Sequence, residues 1–356
     1  MKKKTVILGF ETSCDETAVS VLVDKGNKKV EVLSNVVSSQ FNIHSSFGGV
    51  VPELAARSHL EKIDLITKKA LKDSKLKLSD ISAVAATSGP GLIVCLSVGV
   101  NFAKAISISL NKPFIEVNHL EGHALSPKLS SKLNYPYLMF LISGGHTQFL
   151  IVESFGKYKR IGTTIDDALG EAFDKTAKIL NIGFPGGPKI EEWAKEGDEN
   201  RFELPRPIYH RGGCNLSFAG LKTAVLKQSQ FVKNKKDKHD LAASFQKTII
   251  QIIKKKTQVA IEEYNKKIVN NKNLIVVGGV ASNKSIRKNL KEVCKKNEFK
   301  IYFPEVKYCT DNAAMIALVG LEKFKRKQFS PLNSEIKPRW QLDTKAKFLK
   351  GAGVKI

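Results

Sequence analysis

Cysteine is scarce in this chain, and what there is stands apart. Cys14, Cys95, Cys214, Cys294 and Cys309 form no CxxC pair. An odd, scattered set argues against a disulfide framework and for free thiols in a reducing compartment. Long apolar runs are also missing. None reaches the roughly 20 residues that a membrane span needs, so no membrane partner is expected. The first apolar stretch, 6–10, is followed at once by Glu11 and Asp15. It reads as a buried first strand rather than a signal peptide. Acidic residues are few: 34 Asp and Glu stand against 58 Lys and Arg, a formal charge of +24. That excess fits a phosphate-bearing partner, because cations gain from counterion release on nucleic acid. A lysine-biased composition gives the same excess, and KNKKDK at 233–238 and KKK at 254–256 carry part of it. The two familiar phosphate loops, GxxxxGK[ST] and GxGxxG, are both absent.

What is present alternates between apolar β-rich segments and helical stretches. Residues 6–10, 18–23 and 29–38 read as strands, the first two joined by the polar turn ETSCDET. A helix is expected over 52–70, with Pro52 in a favourable first-turn position. A short strand at 81–87 runs into Ser88-Gly89-Pro90-Gly91 and a small-residue helix through Ser109, and 114–117 is another strand. A second round starts near Tyr137, with strands at 138–143 and 147–152 and helices near 167–180 and 240–265. It continues with a strand at 274–277, a helix at 283–296, a strand at 300–303 and a helix at 312–325. The plan repeats, which predicts two similar α/β lobes. The spacing assigns 1–118 plus about 310–343 to the first lobe and 119–309 to the second, with 344–356 a loose basic tail. FELPRPIYHRGGCN, at 202–215, reads as an active-site loop.

Three glycine-rich turns follow strands: SGPG at 88–91, SGG at 143–145 and GGVASN at 278–283. Glycine permits a positive φ and close approach of backbone N–H groups to an anion. Each alone is equally an ordinary tight turn; together, in a two-lobe chain, they suggest a nucleotide in a cleft between lobes. Asn283 is either a helix cap or a ligand contact. Asp166, Asp167, Glu171 and Asp174 crowd a helix start. That is either a solvated first turn that suits the helix dipole or a carboxylate beside a ribose.

In NHLEGHA, His119 and His123 stand four apart, so a helix puts both on one face. They read as a metal pair or as partly buried, hydrogen-bonded histidines. The zinc-protease signature HExxH needs its glutamate directly after the first histidine. Here Glu121 lies two residues on, roughly 200° round the helix, which removes the protease's base. Asp311, before Asn312 and a helix, is either a cap or a third ligand. Two histidines and a carboxylate form a facial set suited to Fe(II) or zinc. His146 is a weaker neighbour.

These residues add up to a resemblance. NHLEGHA, LISGGHTQF, IDDALGEAFDKTAKIL, PGGPKIE, NLSFAGLKTAV, GGVASN and TDNAAMIA occur in this order. The chain resembles the tRNA N6-adenosine threonylcarbamoyltransferase family, TsaD, from ILGFETSCDET to KPRWQLD. The resemblance implies two lobes of the actin-like ATPase fold, of the sugar kinase and Hsp70 type, with a ligand cleft between them. It implies transfer of threonylcarbamoyl from threonylcarbamoyl-AMP to N6 of adenosine 37 in tRNAs that read ANN codons. His119, His123 and Asp311 are then expected to hold one divalent metal ion, Fe(II) before zinc. Leu141, Ile142, Ser143, Gly144, Gly145, Asp174, Gly187, Glu191 and Asn283 are expected to line the intermediate or ATP. No general base stands out. The implied partners are tRNA, a small paralogous TsaB-like subunit and a P-loop ATPase like TsaE, in the cytoplasm. Glu191 departs from the family's more common Asp, Asn42 replaces a usual acid, Cys95 stands where small residues are usual, and the tail has no counterpart. The rivals are an ATP-driven scaffold of the same fold and a metalloprotease.

Overall fold

The computed structural model describes residues 4–26 and 30–347. The chain forms two compact units: Met1–Lys132 with Pro304–Leu342, and Leu133–Phe303 with Asp343–Ile356.

The first unit is built on strands β1 (Thr5–Glu11), β2 (Glu16–Asp24), β3 (Val30–Ser39), β4 (Ala83–Gly89) and β5 (Phe114–Asn118). Their order is β3-β2-β1-β4-β5, with β1, β2 and β3 antiparallel and β4 and β5 added in parallel. Its helices are α1 (Phe41–His44), α2 (Pro52–Ser74), α3 (Ile93–Leu110), α4 (His119–Leu125) and, from the far end of the chain, α10 (Ala313–Lys325). β1 and β4 are apolar without alternation because both faces of the sheet are covered, by α2 and α3 on one side and α10 on the other. α10 lies unusually close. A Cβ on Gly9 would stand 2.8 Å from Ala313 O and Ala317 N, and one on Gly320 2.6 Å from the Ala85 Cβ. Among the described residues α3 is the one helix long and apolar enough to cross a membrane, by length and composition. Its Leu96, Val100 and Ala103 are buried against the sheet and α2.

The second unit repeats the plan with β6 (Tyr137–Ile142), β7 (Thr147–Ser154), β8 (Lys157–Thr163), β9 (Asn273–Val277) and β10 (Lys300–Tyr302). The order β8-β7-β6-β9-β10 is the first unit's order again, three antiparallel strands and then two parallel ones. Its helices are α5 (Leu169–Leu180), α6 (Gly186–Trp193), α7 (Ala219–Ser229), α8 (Lys235–Asn265) and α9 (Lys284–Lys296). The core joins β6, β7 and β9 to α5 and α8, with Phe140 stacked on Phe149 at 4.0 Å between centroids.

The expected boundary after residue 118 falls instead after Lys132. The histidine helix α4 stays with the first unit because it packs on α10: a Cβ on Gly122 would already touch Ile316 and Met315 at 3.0 Å. α8 begins at Lys235, ahead of the expected 240, since Asn234 Oδ1 accepts from Asp237 N and caps it. The basic run is thus its first turn. β8, α6 and α7 were not foreseen from the sequence. The tail expected as loose begins ordered: Arg160 N donates to Asp343 Oδ2 at 2.8 Å and its guanidinium reaches Lys347 O. Residues 348–356 lie outside the described residues.

Phe140→Ala should destabilise the chain by about 3–5 kcal/mol, the usual cost of deleting a buried aromatic. Urea unfolding should show a lower midpoint, while Glu153→Ala on the exposed edge of β7 stays within about 0.5 kcal/mol of the parent.

Candidate functional site

β5 delivers the chain directly into α4. Asn118 ends the strand, and its Oδ1 accepts from Leu120 N at 2.9 Å, capping the helix. All seven residues of α4 are buried. His119 and His123, one turn apart, meet edge to face at 4.7 Å between ring centroids. Asp311 arrives from the start of α10. The cap of α10 is Asn312, whose Oδ1 accepts from Met315 N at 3.1 Å, so the Asp311 carboxylate is left to point at the histidines. Asp311 Oδ1 lies 3.4 Å from His119 Nε2 and 3.1 Å from His123 Nε2. One ligand atom from each of the three residues lies within 4.8 Å of the others. The geometry places two nitrogens and one carboxylate oxygen together, all within the first unit.

Glu11 stands behind this trio. Its Oε2 accepts from His119 Nδ1 at 2.9 Å and from Thr87 Oγ1 at 2.6 Å, and its Oε1 accepts from Ser13 N at 2.6 Å. With Nδ1–H committed to Glu11, the Nε2 lone pair of His119 faces Asp311. That is the arrangement in which a histidine serves as a metal ligand. The electrostatics agree. Burial works against charge on His119, but Asp311 and Glu11 outweigh it and raise its pKa well above the ordinary value. Burial would raise Asp311, yet His119 holds it well below the carboxylate range. Glu11 is likewise lowered by His119 against the effect of burial. The buried Glu11 and the half-buried Asp311 thus favour a positive charge between them, which a proton on His119 or a divalent cation supplies. The donor set fits a metal. His123 Nδ1 is buried without a hydrogen bond. Glu121 Oε2 lies 3.9 Å from Lys323 Nζ, and Glu121 is not one of the three converging groups.

The SGPG turn does not cradle an anion. Gly89 has φ 150°, and a Cβ on it would stand 1.7 Å from Lys337 O. Lys337 N donates to Ser88 O at 2.7 Å, and Gly91 N donates to Pro338 O at 3.2 Å. The turn is filled by the chain's own returning segment.

The remaining expected residues gather in the second unit. Ser143 N donates to His146 O at 2.8 Å and His146 N to Ser143 Oγ at 3.1 Å, closing the SGG turn. Nothing lies within 4 Å of a Cβ built on Gly144, Gly145, Gly187 or Gly279. These four backbones are open to a ligand. Around them the packing is tight: a Cβ built on Gly170 of α5 would stand 2.9 Å from Gly144 N, and one on Gly278 2.4 Å from Ile142 O. Leu141 and Ile142 have fully buried side chains and offer only backbone. Asp174 Oδ1 accepts from Gly186 N at 2.7 Å, and Glu191 Oε1 from Lys284 N at 2.6 Å. Asn283 is the cap of α9, accepting from Ile286 N at 2.9 Å, with its Nδ2 on Gln246. Of the acids crowding this helix start, Asp166 and Asp167 precede α5, which starts at Leu169; Asp167 and Glu171 both pair with Lys175, and Asp166 accepts from Phe218 N at 2.7 Å ahead of α7. Ser13, Thr87 and Gln246 escaped the sequence reading, since a lone hydroxyl or amide in a turn or helix carries no signal of its own.

A sequence model of the family "TsaD: tRNA N6-adenosine threonylcarbamoyltransferase" matches residues 31–318. A protein of that name from Pelagibacter ubique is 65% identical over 357 residues, covering 100% of both chains. One from Rickettsia rickettsii (strain Sheila Smith) is 52% identical over 342 residues, covering 95% of this chain and 98% of its own. Among solved structures, HypF from T. kodakarensis superposes with a TM-score of 0.61 at 14% identity, over 91% of this chain and 48% of that one. The activator of 2-hydroxyisocaproyl-CoA dehydratase from Clostridium difficile gives 0.50 at 14% identity, over 93% and 100%. The fold is that of the actin-like ATPases.

Two variants test this geometry. Glu11→Gln should lower divalent-metal affinity about 10- to 100-fold, the usual effect of removing a ligand's hydrogen-bond partner, read by competition against a chromogenic chelator. Gly89→Ala should lower the melting temperature sharply, because Lys337 O occupies the space its Cβ needs; an unchanged melting temperature would mean that the 331–342 segment does not fill the turn.

Proposed function

The chain belongs to the TsaD family, the tRNA N6-adenosine threonylcarbamoyltransferases, and from that membership we propose which residues carry out the transfer. The enzyme is an acyltransferase that moves a threonylcarbamoyl group onto N6 of an adenosine in tRNA. The finer reading is that the donor is threonylcarbamoyl-AMP and the acceptor is adenosine 37 of tRNAs reading ANN codons. In the transfer N6 bonds to the carbamoyl carbon, the mixed anhydride's C–O bond breaks, AMP departs and N6 loses a proton.

The donor is already activated, and the exocyclic amine is a poor nucleophile, so positioning carries much of the work. The uncovered backbones of Gly144, Gly145, Gly187 and Gly279 suit the donor's phosphate, where negative charge grows as AMP leaves. Asp174 and Glu191 fix the starts of α6 and α9 that present two of those glycines. The adenine has to leave the anticodon-loop stack to be reached. His119, His123 and Asp311 would hold the divalent ion, Fe(II) before zinc, with Glu11 orienting His119. The chemistry such an ion supplies when bound is Lewis-acid polarisation of a donor oxygen. A TsaB-like subunit and a TsaE-like ATPase are the expected partners. A tRNA substrate and five free cysteines fit the cytoplasm.

The observation that carries this reading is the convergence of His119, His123 and Asp311 in a chain of this family. Incubated with threonylcarbamoyl-AMP, unmodified ANN-decoding tRNA and the partner proteins, the wild type should yield threonylcarbamoyladenosine by nucleoside mass spectrometry. His119→Ala should reduce the yield at least about 100-fold while remaining folded. Wild-type yield from His119→Ala would remove the metal role; consumption of the donor without modified adenosine would remove the acceptor.

A further inference from the structure

Residues 204–236 contain no Asp or Glu and seven Lys or Arg. The first part of this stretch, 206–213, is a loop of unusual build. Tyr209 N donates to Arg206 O at 3.2 Å, closing a four-residue turn with Pro207 second and Ile208 third. Ile208 has φ 46°. The third position of such a turn usually takes glycine or asparagine, and a β-branched residue rarely enters the left-handed region. A second turn follows at once, Arg211 N donating to Ile208 O at 3.2 Å. Strain of this kind persists only where the surroundings enforce it.

The enforcing group is Lys256 on α8, only 1% exposed. Its ammonium donates to Arg211 O at 2.7 Å and to Gly213 O at 3.2 Å. It has no ion-pair partner among the described residues. A buried ammonium held by two carbonyls alone is a costly device compared with an apolar side chain of the same size. What it accomplishes is to tie the loop to the longest helix of the unit.

The loop so held displays cations around one half-buried aromatic ring, Tyr209, which also packs against the core of the unit. The Arg206 guanidinium sits 4.8 Å over the Tyr209 ring, and the His210 ring meets that ring edge-on at 4.9 Å. Arg206, His210 and Arg211 are exposed, and neither arginine has a carboxylate partner among the described residues. Unpaired arginines beside a tyrosine match what an unstacked RNA base and its phosphate offer: a π-face and a negative charge. An acidic protein surface would use the charges but not the stacked plane.

We propose that the 206–213 loop, pinned by Lys256, is a contact for single-stranded RNA in the tRNA substrate, with Tyr209 and Arg206 stacking on an unpaired base and Arg211 taking a phosphate. Lys256 is a positioning residue that touches no RNA. The inference rests on tRNA being the substrate.

Binding of unmodified tRNA to the full chain with its partners, followed by fluorescence anisotropy over a series of salt concentrations, tests it. The double variant Arg206→Ala, Arg211→Ala should bind about tenfold more weakly. Its dependence of log affinity on log salt should be shallower by roughly 0.7–0.9, the share of the one phosphate contact assigned to Arg211. Tyr209→Ala should lose about fivefold or more, and Tyr209→Trp should recover it. Lys256→Met should raise the KM for tRNA and speed amide exchange in the loop, leaving kcat and the KM for threonylcarbamoyl-AMP unchanged. Wild-type affinity and salt slope in both the double arginine variant and Tyr209→Ala overturn the proposal, as does loss of partner-protein binding with tRNA affinity intact. A wild type that binds tRNA through this loop yet forms no threonylcarbamoyladenosine instead overturns the transfer reading and leaves the loop standing.

Discussion

The close seating of α10 against β1 and α4 is the contact on which the candidate metal site depends. Gly9 and Gly320 remove the side chains that would hold the helix off the sheet, and Gly122 removes the one that would hold α4 off α10. Only with both approaches closed does Asp311, just ahead of the α10 cap, come within 3.1 Å of His123 and 3.4 Å of His119. His119 and Asp311 stand next to the caps of α4 and α10, Asn118 and Asn312, and His123 follows one turn along α4. The side chain that satisfies the helix end and the side chain that faces the site are therefore different residues. Neither job compromises the other.

Charge balance then decides what the site can be. Glu11 is fully buried, and burying a carboxylate without compensation is prohibitive. Thr87, Ser13 and His119 supply that compensation. With Asp311 facing the other nitrogen of the same ring, His119 lies between two negative groups. A purely structural buried histidine needs one partner, not two carboxylates. His59 illustrates the ordinary case: it is fully buried, bonded to Thr17 and to Cys14 O, and burial lowers its pKa. The two shifts run in opposite directions: burial prevails at His59, whereas at His119 the Asp311 and Glu11 carboxylates outweigh it.

Much of this was legible in sequence. The i, i+4 pair in NHLEGHA needs only helical periodicity, and the displaced Glu121 already argued against a protease. The repeated strand-then-helix pattern was visible because strands buried on both faces, such as β1 and β6, read as unbroken apolar runs. β8 was not visible: it is an edge strand reading KYKRIGT, with five of its seven residues exposed or half-buried, so it lacks that run. The lobe boundary was misplaced because nothing in the local sequence of α4 says which distant helix it will pack on. The SGPG turn misled for a related reason. A glycine required by close backbone approach looks the same whether the approaching group is a phosphate or, as at Gly89, the carbonyl of Lys337. Asn283 was open to two readings and Glu191 was expected at the intermediate; the structure engages both side chains at the start of α9.

The two units share one strand order and use it differently. In the first, the β1–β2 turn is occupied from within: Gly91 packs on Ser13, Leu92 N donates to Ser13 O at 2.9 Å, and the turn after β4 is covered by 337–338. In the second, the equivalent β6–β7 turn at 143–146 and the turn after β9 keep Gly144, Gly145 and Gly279 uncovered. The repeated topology thus supplies two sets of strand-end turns, one closed by the chain itself and one left open. Where the turns are closed, His119, His123, Glu11 and Asp311 are held in packed surroundings, which the proposed cation role requires. Where they are open, the backbones of Gly144, Gly145 and Gly279 stay uncovered, which the proposed phosphate role requires. The two proposed roles make opposite demands on solvent access, and the duplicated fold differs in the same sense, one copy filled by the chain and the other left unfilled.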